Sequence, residues 1–335
     1  MSRRILVTGG AGYIGSHTCK ALAAEGFVPV TYDNLSLGDA GRVRWGPLVE
    51  GDVRDATAVA RAIADHDAQA VIHFAADAYV GESVADPARY YDNNVGGMIG
   101  LLAGMRTAGC GRIVFSSTCA VYGDPATLPI SEDTVPAPVN PYGRTKWVCE
   151  QMLADYAAAY GIDFVALRYF NASGADLDGE LGEDREYEPH LIPRAILHLL
   201  GHLLNFQVFG SDFPTPDGTA IRDYIHVADL ARAHVLAVQR LLDGTPGTAA
   251  RRIFNLGSGV GHSVAEVLAA IATVSGRPLA TPTGNRRPGD PPQLVADVAV
   301  ARDDLGFTAR HSALPDIIAS AWRWHVKTHR EAASS

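Results

Sequence analysis

The sequence predicts an α/β protein with a doubly wound parallel sheet followed by a smaller α/β lobe. Three observations carry this prediction: apolar runs alternate with helical stretches, a glycine-rich turn follows the first run, and the texture changes after Asn171. Strands alternating with helices are typical of a parallel sheet covered on both faces. We expect domains 1–170 and 171–335, with segments near 225–240 and 253–256 returning to the first.

The alternation spans the first half of the chain. The predicted strands are 4–8, 27–32, 47–50, 70–74, 112–116 and 163–168. The predicted helices lie near 15–25, 56–66, 87–108 and 141–160. Beyond Asn171, glycine, proline and acidic residues cluster, so we expect shorter and less regular elements there. Ligands of doubly wound sheets bind beyond the carboxyl ends of the strands, which predicts a substrate cleft between the two lobes.

Composition narrows the class of protein. The chain has 335 residues, 47% of them hydrophobic, and a net charge of −9, which argues against nucleic-acid and anionic-membrane partners. The first strand begins close to Met1, which predicts no signal peptide, and the apolar stretch 191–204 is too short and polar to span a bilayer. The four cysteines lack metal-type spacing, so we expect no metal site and reduced thiols in the cytoplasm.

The glycine turn indicates a dinucleotide. Gly10, Gly12 and Gly15 form Gly-x-Gly-x-x-Gly between an apolar strand and a helix, and Gly9 adds the variant spacing Gly-x-x-Gly-x-x-Gly. These glycines permit a tight turn and a close approach to a pyrophosphate at the helix N-terminus. Asp33 ends the second strand about twenty residues further on, where a carboxylate accepts hydrogen bonds from a ribose. The pattern predicts a Rossmann-type domain that binds NAD rather than NADP.

A second motif indicates acid/base chemistry. Tyr142 and Lys146 are four residues apart on one face of a helix for which Asn140 is the N-cap, Pro141 the first residue and Gly161 the end. A phenol ionises near pH 10, and a nearby lysine cation favours the phenolate. We therefore expect Lys146 to lower the pKa of Tyr142, so that the pair exchanges a hydroxyl proton with a substrate.

Taken together, these residues resemble an extended short-chain dehydrogenase/reductase: the glycine turn, Ser-Ser-Thr at 116–118, and Tyr142 with Lys146. More narrowly, four stretches are similar to the UDP-glucose 4-epimerase family. They are Val-Gly-Glu-Ser at 80–83, Tyr-Tyr-Asp-Asn-Asn-Val at 90–95, Leu-Arg-Tyr-Phe-Asn at 167–171, and Arg-Asp-Tyr-Ile-His-Val at 222–227. The resemblance covers residues from about 3 to about 325.

The resemblance implies reversible C4 epimerisation of UDP-glucose and UDP-galactose through a 4-keto sugar, with tightly bound NAD and a homodimer. The implied catalytic residues are Tyr142, Lys146 and Thr118. The implied cofactor-binding residues are Gly9, Gly12, Tyr13, Ile14, Gly15, Asp33, Asn34, Ser36, Asp52, Val53, Phe74, Ala75, Ala76, Ala78, Asn94, Lys146, Tyr169 and Phe170. The implied substrate-binding residues are Thr118, Tyr142, Asn171, His190, Leu191, Phe209, Arg222, Arg287 and Asp290.

Some of these residues have simpler interpretations. Asp52 could cap the helix near residue 56, Arg222 could pair with Asp223 or Asp229 at the surface, and His73 and His226 are typical of structural histidines. Other positions depart from the family pattern: one phosphate contact is missing, the diphosphate contact is altered, and a bulky residue argues against UDP-N-acetylhexosamines. Ala78 stands in place of a phosphate-contacting lysine, His190 in place of an asparagine, and Leu294 is bulky where size governs tolerance of an N-acetyl group.

Rival functions remain at this stage. A nucleotide-sugar 4,6-dehydratase needs a carboxylate after the serine/threonine motif, where this chain has Cys119 and Ala120. A UDP-glucuronate or UDP-pentose 4-epimerase is harder to exclude, because the residues that contact the sugar are few and variable, while a simple dehydrogenase would need cofactor exchange. A non-catalytic NAD-binding regulator would have no use for Tyr142, Lys146 and Thr118 together. For a homodimer, the helices near 87–108 and 141–160 show apolar residues on more than one face: Tyr91, Met98, Leu101, Val148, Met152 and Tyr156.

Overall fold

The architecture was described from a computed structural model of the chain, which covers residues 3–244, 252–287 and 290–332. The outer limits of the two expected domains, residues 1 and 335, lie outside the described residues. None of the helices in the described part is long and apolar enough to cross a membrane.

The strands and helices follow in chain order. The strands are β1 Arg4–Thr8, β2 Val28–Asp33, β3 Leu48–Glu50, β4 Ala68–His73, β5 Arg112–Ser116, β6 Asp163–Tyr169, β7 Asn171–Ser173, β8 Val208–Phe209, β9 Ile221–His226, β10 Ile253–Leu256, β11 Gly261–Ser263, β12 Thr283–Gly284 and β13 Gln293–Leu294. The helices are α1 Tyr13–Ala24, α2 Ala56–Asp65, α3 Val80–Ala85, α4 Pro87–Tyr90, α5 Gly97–Ala108, α6 Pro141–Tyr160, α7 Leu191–Leu199, α8 Val227–Asp243, α9 Val264–Ser275, α10 Ala299–Leu305 and α11 Leu314–Ala332.

The central sheet has seven strands in the order β10-β6-β5-β4-β1-β2-β3. Every neighbouring pair in it is parallel. Along β1, Ile5 and Val7 face one buried core with α1 and α8, while Leu6 faces a second core with α2, α5 and α6. Successive side chains of a strand point to opposite faces, so a sheet covered on both sides needs apolar residues at every position. The predicted doubly wound α/β fold is confirmed.

The remaining strands build a smaller region around β9. Strand β9 pairs with β7, β11 and β13, and β8 pairs with β12. Helices α7, α9 and α11 enclose a separate apolar core that includes Ile192, Leu268 and Ile317. Strand β10 lies in the seven-stranded sheet beside β6, and α8 packs in the core shared with α1. We therefore propose the two-lobe division with 225–240 and 253–256 assigned to the first lobe.

The structure refines the predicted elements. Residues 87–108 are helical throughout, as predicted, and a π-helical segment, Tyr91–Gly96, joins α4 to α5. Elements beyond residue 171 are not uniformly short, since α8 has 17 residues and α11 has 19. Both long helices have apolar positions packed in a core, and this packing outweighs the irregular loops around them. Met98 and Leu101 are fully buried within the monomer, so burial accounts for these two of the apolar residues on the helices near 87–108 and 141–160.

Candidate active site

The glycine turn is closely packed and leaves its helix end open. Gly9 has a φ of 72°, and a Cβ there would lie 2.6 Å from the Ala75 nitrogen. A Cβ on Gly15 would lie 2.2 Å from the Gly9 oxygen. Helix α1 starts at Tyr13 with Gly12 as N-cap and no side-chain cap. The uncapped N-terminus therefore presents N–H groups and partial positive charge, which fits the diphosphate of a dinucleotide.

The first two residues of α1 face inward. The Tyr13 hydroxyl donates to the Gly174 carbonyl oxygen at 2.7 Å, which ties the glycine turn to the chain after β7. Ile14 packs against the core shared by α1 and α8. Both side chains thus support the turn from behind and leave its backbone to meet a ligand.

Asp33 is buried at the end of β2. Its carboxylate accepts hydrogen bonds from the backbone N–H groups of Ala11 at 3.0 Å and Leu35 at 2.9 Å. It therefore holds the glycine turn against the β2 loop, a role that the sequence analysis missed. Each carboxylate oxygen has a further acceptor site, so the expected bond to a ribose hydroxyl stays compatible with this geometry.

The adenine-side positions lie on the loops after β2 and β3. Asn34 accepts from both the backbone N–H and the hydroxyl of Ser36, which forms a small polar turn. Asp52 pairs with Arg54 and does not cap α2, because Asp55 provides that cap. The Arg54 side chain, which donates to it, lowers the pKa of Asp52 to about 2. The capping interpretation of Asp52 is therefore wrong.

The other cofactor positions surround the end of β4. Phe74, Ala75 and Ala76 follow that strand directly. The ring of Phe74 packs against that of His234, with 4.6 Å between the ring centroids. Ala78 is exposed, and Val53 is buried in the core with α5.

The two histidines that we expect to be structural both make hydrogen bonds within the fold. His73 bonds the Thr8 hydroxyl, and His226 lies between the Ala228 N–H and Ser320.

Asn94 lies in the π-helical segment and is buried. Its carbonyl oxygen accepts from the backbone N–H of Asp77 at 2.8 Å. Its amide donates to the Asp77 carbonyl oxygen at 3.0 Å and to the Thr145 hydroxyl at 3.1 Å. The side chain thus joins the loop after β4 to α6. Its implied place beside the dinucleotide stays a prediction.

Helix α6 carries the acid/base pair as the sequence predicts. The Asn140 side chain accepts from the Gly143 N–H at 2.8 Å, Pro141 is the first residue, and Gly161 ends the helix with a φ of 69°. Tyr142 and Lys146 are both buried, with 8% and 3% of their surface exposed. Their shared helix face is therefore turned toward the sheet, and not toward solvent.

Burial shifts the pKa values of both members of this pair. Burial raises the pKa of Tyr142 well above its ordinary value, with Tyr169 adding to the effect and a hydrogen bond with Thr118 opposing it. Burial also lowers the pKa of Lys146 to about 8. The Lys146 ammonium donates to the Ser116 carbonyl oxygen at 2.9 Å. Desolvation is therefore the largest influence on the pKa of Tyr142 in the structure, and the effect expected from Lys146 stays a prediction.

The residues that follow β5 and β6 lie beside Tyr142 and Lys146. Thr118 is buried and precedes Cys119, which packs with Phe170 and Leu294 in a small apolar cluster. The Tyr169 hydroxyl lies 2.7 Å from the Ser116 hydroxyl. The structure thus brings the motifs around 118, 142 and 169 together at the carboxyl ends of β5 and β6.

The substrate-side positions lie on the smaller region. Arg222 in β9 forms an ion pair with Asp290, so its predicted pairing with Asp223 or Asp229 is wrong. Asp223 is buried and accepts from the backbone N–H groups of Ser258 at 2.7 Å and Gly259 at 3.0 Å. Because Leu294 in β13 pairs with Arg222, the cluster of Leu294 with Cys119 connects this ion pair to the residues after β5.

A second guanidinium lies over an aromatic ring. The Arg287 side chain is 4.1 Å from the ring centroid of Phe209 in β8. Burial lowers the pKa of Arg287, with the charge of Asp290 acting in the opposite direction. Leu191 is the first residue of α7, and Asn171 is the first of β7. Two guanidiniums and a flat aromatic surface are groups that suit the phosphates and base of a nucleotide.

His190 precedes α7 and faces two carboxylates. Its Nδ1 lies 2.7 Å from Glu183 and 3.3 Å from Glu188. Partial burial disfavours the charged ring, which is 45% exposed, but the Glu183 charge and hydrogen bond outweigh this and raise the pKa of His190 to about 10. Arg185 also contacts Glu183, at 3.0 Å. The departure from asparagine therefore places a cation at this position, and Glu183 is a residue that sequence reasoning missed.

Comparison with known proteins agrees with this geometry. The model of the NAD dependent epimerase/dehydratase family matches residues 5–257. The chain is 51% identical over 329 residues to the UDP-glucose 4-epimerase of Rhizobium meliloti, which covers 98% of this chain and 99% of that protein.

Two solved structures are similarly close. The Brucella ovis UDP-glucose 4-epimerase in complex with NAD has a TM-score of 0.92 and 53% identity, covering 96% of this chain and 98% of that one. The Stenotrophomonas maltophila UDP-glucose-4-epimerase with NAD and formylated UDP-arabinopyranose has a TM-score of 0.93 and 41% identity, covering 98% and 99%. The likeness therefore extends over both regions of the fold.

Proposed function

The chain belongs to the NAD dependent epimerase/dehydratase family, and we propose that it is an NAD-dependent enzyme that interconverts UDP-glucose and UDP-galactose at C4. The observation that carries the proposal is the placement of Tyr142, Lys146 and Thr118 at the carboxyl ends of β5 and β6 in a fold that matches NAD-bound epimerases from end to end. A UDP-sugar is the partner this implies.

NAD fits the residues present on one side of the cleft. The glycine turn, the uncapped start of α1 and the buried Asp33 would hold its diphosphate and adenosine ribose. Lys146, Tyr169 and Phe170 would hold the nicotinamide end. When bound, NAD supplies an acceptor for the hydride at C4 and returns it, so the reaction has no net redox change.

Tyr142 and Thr118 move the proton. Tyr142 takes the proton of the sugar 4-hydroxyl while Thr118 hydrogen-bonds the same oxygen, and the phenol later returns the proton to the opposite epimer. Burial alone favours the neutral phenol, so the phenolate that takes the 4-hydroxyl proton depends on a nearby positive charge. Lys146, one turn along α6, is the cation on the same helix face that favours ionisation of the phenol.

The smaller region holds the UDP group. Guanidiniums bind phosphate oxygens bidentately, so Arg222 and Arg287 would take the diphosphate, with the His190 cation adding charge. The base and ribose would contact the remaining substrate-side residues: Asn171, Leu191, Phe209 and Asp290. Anchoring of the UDP group supplies binding energy remote from C4, which retains the ketone while the sugar turns over.

We also propose a homodimer in the cytoplasm. Tyr91, Ile99 and Tyr160 are large apolar residues at least 41% exposed on or beside α5 and α6, which supports an interface there. Cys19, Cys110, Cys119 and Cys149 are buried and unpaired in the structure. Reduced thiols are typical of cytoplasmic proteins.

The test is NMR of UDP-galactose incubated with pure protein and no added cofactor. We expect UDP-glucose to appear and approach a fixed ratio. If nothing changes, NAD is added, and recovery then shows that cofactor was lost during purification. Inactivity toward UDP-galactose with NAD bound would overturn the proposed substrate. Turnover of UDP-glucuronate or a UDP-pentose would then identify the alternative, which the arabinopyranose-bound relative makes reasonable to assay.

A further inference from the structure

The catalytic helix carries a third buried polar residue. Tyr142, Lys146 and Glu150 recur at four-residue spacing, so they lie on one face of α6. Glu150 is 3% exposed. Opposite this face runs the segment that leaves β5, with Ser116, Ser117 and Thr118 in sequence, and Ser117 is fully buried.

Three consecutive residues of that segment contact three successive turns of α6. Ser116 accepts from Lys146 through its carbonyl oxygen at 2.9 Å. The Ser117 hydroxyl donates to Glu150 at 2.5 Å. Thr118 lies close enough to Tyr142 for its hydroxyl to oppose the burial that raises the pKa of Tyr142. The Ser117–Glu150 hydrogen bond therefore joins the chain segment to α6 directly beside Thr118 and Tyr142, the two residues that the proposed reaction uses.

The acceptor of Ser117 is held rigidly. Glu150 accepts from Arg168 Nε at 2.9 Å and Nη2 at 2.5 Å. Arg168 also donates to the Tyr122 hydroxyl at 3.0 Å, and that hydroxyl donates to Asn255 at 2.7 Å. The side chains of the ion pair are only 3% and 2% exposed. A buried charge pair with this many bonds has one low-energy geometry, because any rotation leaves a charge unpaired.

We propose that Ser117, backed by the Glu150–Arg168 ion pair, is a positioning residue that holds Thr118 within hydrogen-bonding range of Tyr142 and so sets the rate of C4 inversion. Ser117 is fully buried and does not meet the substrate, so its effect on the reaction passes through the neighbouring Thr118. The inference rests on the proposed function, which assigns the proton transfer to Thr118 and Tyr142. Small errors in placement matter at such a site, since a shift of about 1 Å costs about 100-fold in rate.

The test is a double-mutant cycle on kcat and KM for UDP-galactose. Ser117→Ala removes one hydroxyl and leaves the ion pair intact. We expect kcat to fall about tenfold with KM within about twofold, since alignment is weakened and UDP contacts are untouched. In a Thr118→Ala background, Ser117→Ala should lower kcat no further. An equal loss of kcat in both backgrounds would overturn the proposal.

Ser312→Ala is the matched control. The Ser312 hydroxyl is also buried and donates to a buried carboxylate, Asp229, at 2.7 Å, but lies outside the candidate site. We expect both variants to lose similar thermal stability while only Ser117→Ala loses turnover. A comparable fall of kcat in Ser312→Ala would assign the effect to general loosening of the fold, against the proposal.

A crystal structure of Ser117→Ala supplies a readout that does not depend on turnover. We expect the hydroxyls of Thr118 and Tyr142 to lie further apart than in a crystal structure of the wild-type protein, which weakens a hydrogen bond between them. An unchanged separation would overturn the positioning role. If the wild-type protein fails to interconvert the two sugars, the proposed function fails, yet this comparison still decides whether Ser117 positions Thr118.

Discussion

The two parts of the candidate site handle charge differently: we call the residues on α6 and after β5 and β6 the catalytic wall, and those around β9 the nucleotide wall. On the catalytic wall, the Glu150–Arg168 side chains are 2% and 3% exposed and Lys146 is buried as deeply. On the nucleotide wall, the Arg222–Asp290 side chains are 11% and 30% exposed. A buried pair must keep its partners, whereas a partly hydrated pair can exchange one partner for a phosphate.

This difference separates two tasks. Proton transfer gains from groups that are fixed before the substrate arrives, because no reorganisation is then needed during the reaction. Binding of the nucleotide gains from groups that water still reaches, since they adjust to an incoming anion. We therefore expect changes on the catalytic wall to affect kcat and changes on the nucleotide wall to affect KM. Single substitutions on each wall test this division.

Tyr142→Phe should have the largest effect. Without the phenol, no group at this position exchanges the sugar proton, so kcat should fall about 1,000-fold with KM little changed. Initial rates by NMR measure this. Tyr187→Phe is the control, because Tyr187 is 78% exposed. A Tyr142→Phe variant that keeps most of its turnover would remove Tyr142 from the mechanism.

Glu150→Gln should cost the most stability. It leaves the buried Arg168 without its counter-charge, so the free energy of unfolding should fall by about 3 kcal/mol. Asp290→Asn changes the more exposed pair and should cost less than about 1 kcal/mol. Urea unfolding at one fixed NAD concentration measures both. Equal losses would show that the two walls do not differ in this respect.

Arg222→Ala should act on binding. Hydrogen bonds to charged groups contribute about 1.5–3 kcal/mol, so KM for UDP-galactose should rise about tenfold or more while kcat changes little. Arg302→Ala is the control, because Arg302 pairs with Asp303 at the surface. A fall in kcat at constant KM would instead place Arg222 with the catalytic groups.

His190→Asn should show a smaller effect that depends on pH. The pKa of His190 is raised to about 10 in the folded protein, against about 6.5 when unfolded. Its contribution to stability is therefore complete below about pH 6.5 and is lost as the pH rises through about 10. Solvent screening of the half-exposed ring limits the difference from wild type to about 1 kcal/mol.

Urea unfolding at pH 6, 8 and 10 measures that difference. In a Glu183→Gln background the pH dependence should shrink, because the main counter-charge of His190 is gone. A stability gap between wild type and His190→Asn that grows with pH would contradict the assignment of His190 as a cation.

Local patterns predicted much of the fold and part of the site. The cap, first residue and end of α6 lie at Asn140, Pro141 and Gly161, as their neighbouring residues indicate. The strand positions of the central sheet were predicted to within two residues, because a short apolar run between two helices is typical of a buried strand. These features depend on interactions within a few residues, which the chain order displays directly.

Contacts across the sheet decided the rest. Glu150 stands four residues after Lys146, yet its role depends on Ser117 and Arg168, which belong to other strands. The partner of Arg222 is 68 residues away. The sequence by itself determined which residues share a helix face and where the glycine turn lies. Only the tertiary structure decided which charges are desolvated and paired, because burial and pairing depend on residues distant in the chain.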